Sequence, residues 1–473
     1  MNTKITLNFL GKVLIGMAVI FAFPILVALI YHEGIMHFLI PQLVSLVVGL
    51  ALNLIKYEKN TQIYARDGLK IVALSWILIS VIGALPIYLN HDAPYIDALF
   101  ETVSGFTTTG ATIFKDVEHL DKAILFWRGL THFIGGMGVL AFVMAIIPLS
   151  TKNKSMHVLK AEMPGPSVSK LVPSMKKTLI ILYAIYIGLT VTEIALLKIA
   201  HTPTFDSIVI SFGTAGTGGF AVQNSSIAGY TTAAKYIVAI FMFLFGVNFN
   251  IYFLMAMGKV KEALKSEELR VYIALFVTAV AIVILNTVHI LGNTAIAFRE
   301  AFFHVSSIMT STGYAIGDIN IYPTTSRALM MLLMLISACA GSTCGGLKIS
   351  RLIICAKSVK RNLIKQVHPN AVQVIKFEGK KVSEETVQIT NTFIFLYIAL
   401  IFIFILIVSL NGYNIETTTN AVFTTFANVG LCFNIQNFQE FSTLSKATLC
   451  VAMLLGRLEI FPMVSLISDL RKE

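Results

Sequence analysis

Four stretches of this chain set glycine among hydroxyl-bearing residues in one repeated register. They read DALFETVSGFTTTGAT from Asp97, DSIVISFGTAGTGGF from Asp206, EAFFHVSSIMTSTGY from Glu300 and TTTNAVFTTFANVGL from Thr417. Aligned on Gly110, Gly219, Gly313 and Gly430, each has an acidic or capping residue thirteen positions upstream: Asp97, Asp206, Glu300 and Thr417, the last preceded by Glu416. The second stretch leaves its register open by one residue, because Gly216, Gly218 and Gly219 crowd together. Glycine takes φ > 0 without steric cost, so successive carbonyls can be turned toward one axis. Four such segments around an axis would supply rings of oxygens able to replace a cation's hydration shell. No HExxH, nucleophile elbow or carboxylate pair at catalytic spacing occurs, so nothing points to an enzyme. A phosphate-binding loop also fails, because Leu347 stands where GxxxxGK[ST] requires Lys.

Each segment needs an element to aim it. A helix of roughly ten residues, starting at the acid or cap residue, has its N-terminal dipole complemented and points its C-terminal end at the glycine. Ten residues are too few to cross a hydrocarbon core that takes about 20, so each helix must re-enter on its own side. Irregular backbone at that depth is tolerated only where it is buried or lines a watery path.

The rest of the chain supplies the membrane. Of 473 residues, 56% are apolar and 13% charged, with a mean hydropathy of +0.79. Soluble domains carry about 25% charged residues. Ten apolar spans are expected, at 8–30, 35–55, 67–90, 124–149, 178–200, 234–257, 270–292, 327–346, 388–410 and 445–468. The segments divide the chain into an N-terminal two-helix piece (1–60) and four pore repeats (65–150, 175–260, 268–365 and 385–470). The glycines are 109, 94 and 117 residues apart, which fits a span–re-entrant–span unit with an inside linker. Of the 36 Lys and Arg, 27 fall on one side of these spans, which puts both termini in the cytoplasm. Their placement between spans, not on one polar face, argues against nucleic acid despite the net charge of +11. The five cysteines form no CxxC pair and read as packing residues. The apolar run from Leu7 to Ile30 is a span and not a signal peptide.

A few polar groups stand out within the spans. Arg457, about 18 Å into the last span at 1.5 Å per residue, faces a cavity, pairs with Glu459 or snorkels inward. The eighth span ends in SACAGSTCGGLKIS, Ser337 to Ser350, which suits an intramembrane loop or a plain C-terminal cap at Gly345-Gly346. Gly135 and Gly136, near His132, suit close helix packing. Asn248 and Asn250 suit either an inner cavity or interhelical hydrogen bonds.

FTTTGAT, LFWRGLTHFIGGMG, the AEMPGP segment and MLLGRLEIF together resemble the TrkH/KtrB superfamily of potassium transport proteins, and the ten-span length resembles its TrkH branch. The resemblance implies an all-α membrane protein with four pseudo-symmetric helix–pore loop–helix repeats around one pore, plus two N-terminal helices. It implies a potassium filter at Thr108, Thr109, Gly110, Thr217, Gly218, Gly219, Ser311, Thr312, Gly313, Asn428, Val429 and Gly430. Glycine in all four filters goes with potassium preference in that superfamily, and serine in the first with sodium passage. Arg457 would be a barrier below the filter, and the segment carrying Gly341, Gly345, Gly346 and Lys348 a gating loop. The implied setting is the cytoplasmic membrane, as a homodimer docked to a TrkA-type nucleotide-binding subunit, with potassium as cargo and no cofactor in this chain. The rival readings are sodium- or proton-coupled potassium symport and a non-transporting scaffold or receptor.

Overall fold

The structure, a computed structural model, describes residues 3–55, 65–138, 175–370, 373–435 and 437–467. The AEMPGP segment and the inner part of the expected 124–149 span lie outside these residues. The N-terminal pair is α1 (Thr3–Tyr31) and α2 (Met36–Asn53). Their backbones touch where side chains vanish: a β-carbon at Gly11 would lie 2.8 Å from the Gly49 carbonyl oxygen. The pair packs on the first repeat through Phe21 and Phe38, whose rings lie 4.8 and 6.1 Å from that of Trp127.

One order of helices then recurs four times. The first unit is α3 (Ala65–Gly83) continued by α4 (Leu85–Leu89), α5 (Tyr95–Phe106) and α6 (Lys122–Gly136). The second is α7 (Met175–Ile199), α8 (Thr204–Gly216), α9 (Thr232–Phe245) and α10 (Phe249–Ala256), followed by the short α11 (Val260–Leu264). The third is α12 (Glu267–Leu291), α13 (Thr294–Met309) and α14 (Thr324–Leu335), followed by α15 (Ile349–Val367) and a hairpin of β1 (Lys376–Phe377) and β2 (Lys380–Lys381). The fourth is α16 (Glu384–Ser409), α17 (Ile415–Phe426), α18 (Thr443–Arg457) and α19 (Phe461–Ile467). Leu285, Phe395 and Leu406 on the long helices are exposed, as suits groups whose solvent is lipid.

Among the described residues, six helices are long and apolar enough to span: α1, α2, α3 with α4, α7, α12 and α16. Three expected spans depart from a continuous helix. The 234–257 span is α9 and α10, bent by 92° at a break where Asn248 caps α10 by accepting from the Asn250 amide at 2.9 Å. The 327–346 span stops at Leu335, because Ile336 turns extended and the small residues after it leave the helix. The 445–468 span breaks after Arg457, where Glu459 and Ile460 take φ of 57° and 65°. The connection after residue 347 carries a further helix. Ile349, Ile353 and Ile354 bury one face of α15.

The re-entrant helices α5, α8, α13 and α17 do not start at the acids. Their caps are Pro94, Pro203, Asn293 and Asn414, so Asp97, Asp206 and Thr417 are third residues and Glu300 lies deeper. Asp97, Asp206 and Glu416 still fall in the first turn, where they complement the helix dipole, and they also reach partners elsewhere. Asp97 binds Lys446 of α18 at 2.6 Å, Glu416 binds Arg327 of α14 at 3.1 Å, and Asp206 accepts from the Tyr230 hydroxyl at 2.9 Å. Lys446 and Arg327 are each the fourth residue of their helix, so two neighbouring pairs of repeats are tied by an ion pair from the same position, buried in one and partly exposed in the other. Both members of the Asp97–Lys446 pair are buried. Asp97→Ala strands a buried ammonium and should destabilise the protein by about 3–5 kcal/mol. Asp97→Leu combined with Lys446→Leu should recover most of that loss. Thermal unfolding of the two variants checks it; an unchanged midpoint for Asp97→Ala would refute the claim.

Candidate functional site

The four glycine segments share one backbone conformation. Each re-entrant helix ends on a residue in the left-handed region: Thr108 (φ 55°), Thr217 (53°), Ser311 (53°) and Asn428 (55°). The next amide reaches five residues back to a helix carbonyl, Thr109 to Ser104, Gly218 to Gly213, Thr312 to Ser307 and Val429 to Thr424, each at 2.8 Å. That is the Schellman closure of a helix C-terminus. Then comes the register glycine with φ of 80°, 78°, 84° and 80° at Gly110, Gly219, Gly313 and Gly430. The structure thereby resolves the second register in favour of Gly219, since Gly216 belongs to α8 and Thr217 takes the left-handed position.

The segments close on one another in a ring. A β-carbon at Gly110 would lie 1.9 Å from the Gly218 carbonyl oxygen, and one at Gly219 would lie 2.0 Å from that of Thr312. One at Gly313 would lie 2.0 Å from the Val429 oxygen, and one at Gly430 would lie 2.1 Å from the Thr109 oxygen, which returns to the first segment. In every step the carbonyl belongs to the residue just before the next segment's glycine. A chain with four unrelated turns has no reason to repeat this contact around a cycle.

Side chains brace the ring from behind. Thr107 and Thr310 each share a 2.8 Å hydrogen bond with the hydroxyl two residues on, Thr109 and Thr312. The Asn428 amide donates to the Thr109 hydroxyl at 2.9 Å and to the Met453 carbonyl at 3.0 Å, tying the fourth segment to the first. Arg128 binds Glu101 at 2.8 Å, and Glu101 also accepts from the Ile113 amide at 2.9 Å, fixing the exit from Gly110. Gly135 and Gly136 serve close packing, as expected: β-carbons there would meet the Phe106 carbonyl oxygen at 2.0 Å and the Gly216 α-carbon at 2.6 Å. The Thr108 hydroxyl and the side-chain amide oxygen (Oδ1) of Asn428 are buried without a hydrogen-bond partner.

Next to the ring lies the irregular segment between α14 and α15. Its two ends pair, with the Ser337 amide donating to the Leu347 carbonyl at 3.0 Å. One oxygen of Glu268, at the start of α12, accepts from both Ala340 (2.7 Å) and Ser350 (3.1 Å). Glu378, at the turn of the β1–β2 hairpin, accepts in turn from Ser266 and from the Glu268 amide, at 2.8 and 3.1 Å. The Gly345 amide donates to the Ser311 hydroxyl at 3.0 Å, so the segment touches the ring itself. Gly341 and Gly346 turn with φ of 72° and 67°. Lys348 is buried and gives its ammonium to the carbonyls of Cys344 and Gly345.

Arg457 neither pairs with Glu459 nor snorkels. Its guanidinium donates to the carbonyls of Thr343 (2.6 Å), Gly135 (2.5 Å) and Gly136 (2.7 Å), joining the irregular segment to the end of α6. Glu459 is taken by Arg351 of α15, whose guanidinium also lies 3.9 Å from the Phe393 ring centre. Sequence reasoning missed Glu268, as it missed Glu101, Arg128, Arg351 and Glu378; an acid in the first turn of a span carries only a helix-dipole signal.

Known proteins share this fold. A sequence model of the TrkH family, described as cation transport proteins, matches residues 34–471. The chain is 33% identical to the Trk system potassium uptake protein TrkG of Escherichia coli K12, over 94% of this chain and 93% of that one. It is 30% identical to the TrkH protein of Halomonas elongata, covering 98% of each chain. The crystal structure of the potassium transporter TrkH from Vibrio parahaemolyticus superposes with a TM-score of 0.90 at 28% identity, covering 100% of both chains. In sequence over most of its length, and in fold over all of it, the chain belongs to the TrkH family of cation transport proteins.

Proposed function

We propose that this chain is the ion-conducting membrane subunit of a Trk-type potassium uptake system. The observation that carries the reading is the closed cycle of four glycine–carbonyl contacts, which a scaffold has no use for. Potassium would shed water at Thr108, Thr109 and Gly110, Thr217, Gly218 and Gly219, Ser311, Thr312 and Gly313, and Asn428, Val429 and Gly430. With both termini in the cytoplasm, inward flow is driven by the membrane potential at about 2.3 kcal/mol per charge per 100 mV.

The segment with Gly341, Gly345, Gly346 and Lys348, latched by Arg457 and Glu268, is the gate in this reading. Glu378 connects the latch to the cytoplasmic hairpin, where a docked nucleotide-binding subunit of the TrkA type could act on it. A homodimer completes the assembly. The relatives named above are potassium uptake proteins, which supports the choice of cargo.

The test is flux from liposomes holding the purified chain, with potassium, rubidium, sodium and lithium supplied in turn. Potassium and rubidium flux that follows an imposed voltage without a second gradient is expected. Flux that needs a sodium or proton gradient would replace the pore with a coupled symporter.

A further inference from the structure

The second glycine segment differs from the other three in one respect. The residue before its register glycine is itself glycine, Gly218, where the others carry Thr109, Thr312 and Val429. The space is filled by a residue from α6. A β-carbon at Gly218 would lie 2.2 Å from Nδ1 and 2.5 Å from Cε1 of His132, and one at Gly216 would lie 2.2 Å from the His132 carbonyl oxygen. The imidazole is fully buried and lies 4.2 Å from the Phe220 ring centre, at an interplanar angle of 39°. Arg128, one turn earlier on α6, places its guanidinium 4.1 Å from the same ring centre.

Both ring nitrogens of His132 are engaged, and their partners dictate its state. Nδ1 is 2.9 Å from the Gly105 carbonyl oxygen, which can only accept, so Nδ1 carries the proton. Nε2 is 3.3 Å from the Phe220 amide, which can only donate, so Nε2 must be the bare acceptor. Gly105 is also the carbonyl that closes on the left-handed Thr108 at 3.1 Å, while Phe220 directly follows Gly219. One imidazole therefore spans from the helix end that aims the first segment to the residue that leaves the second.

We infer that His132 is a positioning residue for ion selectivity, a neutral strut that sets the spacing of the first and second filter segments. This rests on the potassium-filter reading above. Discrimination between potassium and sodium depends on where the carbonyls are held. Gly110 and Gly218 meet at the step between these two segments. Gly218 lacks a side chain because His132 takes its place.

The test separates the two bonds. His132→Asn keeps a donor near the Nδ1 position and gives up the Phe220 contact; His132→Gln reaches the Nε2 position and gives up the Gly105 contact. Thermal midpoints of the full-length protein are read in potassium chloride and in sodium chloride, since a bound ion stabilises the folded state. The native protein should be more stable in potassium, and each variant should lose more than half of that difference. Rubidium-to-sodium flux ratios in liposomes should fall in parallel. A merely structural role would lower the midpoint equally in both salts and leave the difference whole, which would overturn the inference. A native protein indifferent to the two salts would instead remove the potassium reading, and this inference with it. Should neither histidine variant fold, Gly218→Ala pushes the ring aside from the opposite direction. It should lose the same potassium-over-sodium difference, and a difference left whole in that variant would equally overturn the inference.

Discussion

Gly110→Ser is expected to cut potassium-over-sodium selectivity by an order of magnitude or more while leaving the protein folded. Two effects act together. An L-residue at φ 80° is strained by about 1–2 kcal/mol, and its β-carbon would overlap the Gly218 carbonyl oxygen at 1.9 Å. The obstacle is backbone, not the loose end of a side chain, so the ring must yield at that step. Either the first segment rotates or the second moves outward; both spoil the proposed ligand ring, whose other three steps stay fixed. A change of about 1.4 kcal/mol in relative ion stabilisation is tenfold in the ratio. Bi-ionic flux measurements in liposomes check it. Gly430→Ala, which meets the Thr109 carbonyl oxygen at 2.1 Å across the opposite face of the first segment, should act in the same direction. Unchanged selectivity in both would mean that the glycine cycle is packing and not a filter.

The glycine register is legible in the sequence because φ > 0 is a local demand that glycine meets best. That is why Gly110, Gly313 and Gly430 stand where the alignment put them, and why only the GTGG stretch needed the structure. Asp97, Asp206 and Glu416 do lie in the first turn of their helices, but their tertiary partners were not legible, for a corresponding reason. Asp97 thirteen residues before glycine suggests a helix start, yet its partner Lys446 lies 349 residues away, and no periodicity reports a contact of that range. Hydropathy failed at 327–346 because Ala, Cys and Gly count as apolar whether they form a helix or a hairpin-like loop. Only the pairing of Ser337 with Leu347 shows which. His132 and the LTHFIGG run were visible as a helix with close-packing glycines. The strut became visible only when Gly105 and Phe220 were found on its two nitrogens.

Arg457→Ala is expected to raise potassium flux without any partner subunit by at least about tenfold, with the potassium-to-sodium ratio unchanged. The guanidinium holds Thr343 of the irregular segment against the last carbonyls of α6. Hydrogen bonds to a charged group contribute about 1.5–3 kcal/mol each, so losing the set that exists only with the segment in place should shift the proposed gate toward open. Two explanations predict that increase: a positive charge that repels ions, and a latch that holds the segment. Arg457→Lys separates them. It keeps the charge, but a single ammonium cannot reproduce the planar fork that reaches three carbonyls. If charge is the barrier, Arg457→Lys behaves like the native protein; if the fork is the latch, it leaks nearly as much as Arg457→Ala. Glu268 extends the argument to the other end of the segment. Glu268→Ala strands the Ala340 and Ser350 amides and should also leak, although it removes a negative charge and leaves Arg457 in place. Glu268→Gln should stay closed, because one oxygen accepts both bonds. The geometry favours the latch, since the guanidinium is already committed to carbonyls on both sides of the joint it closes.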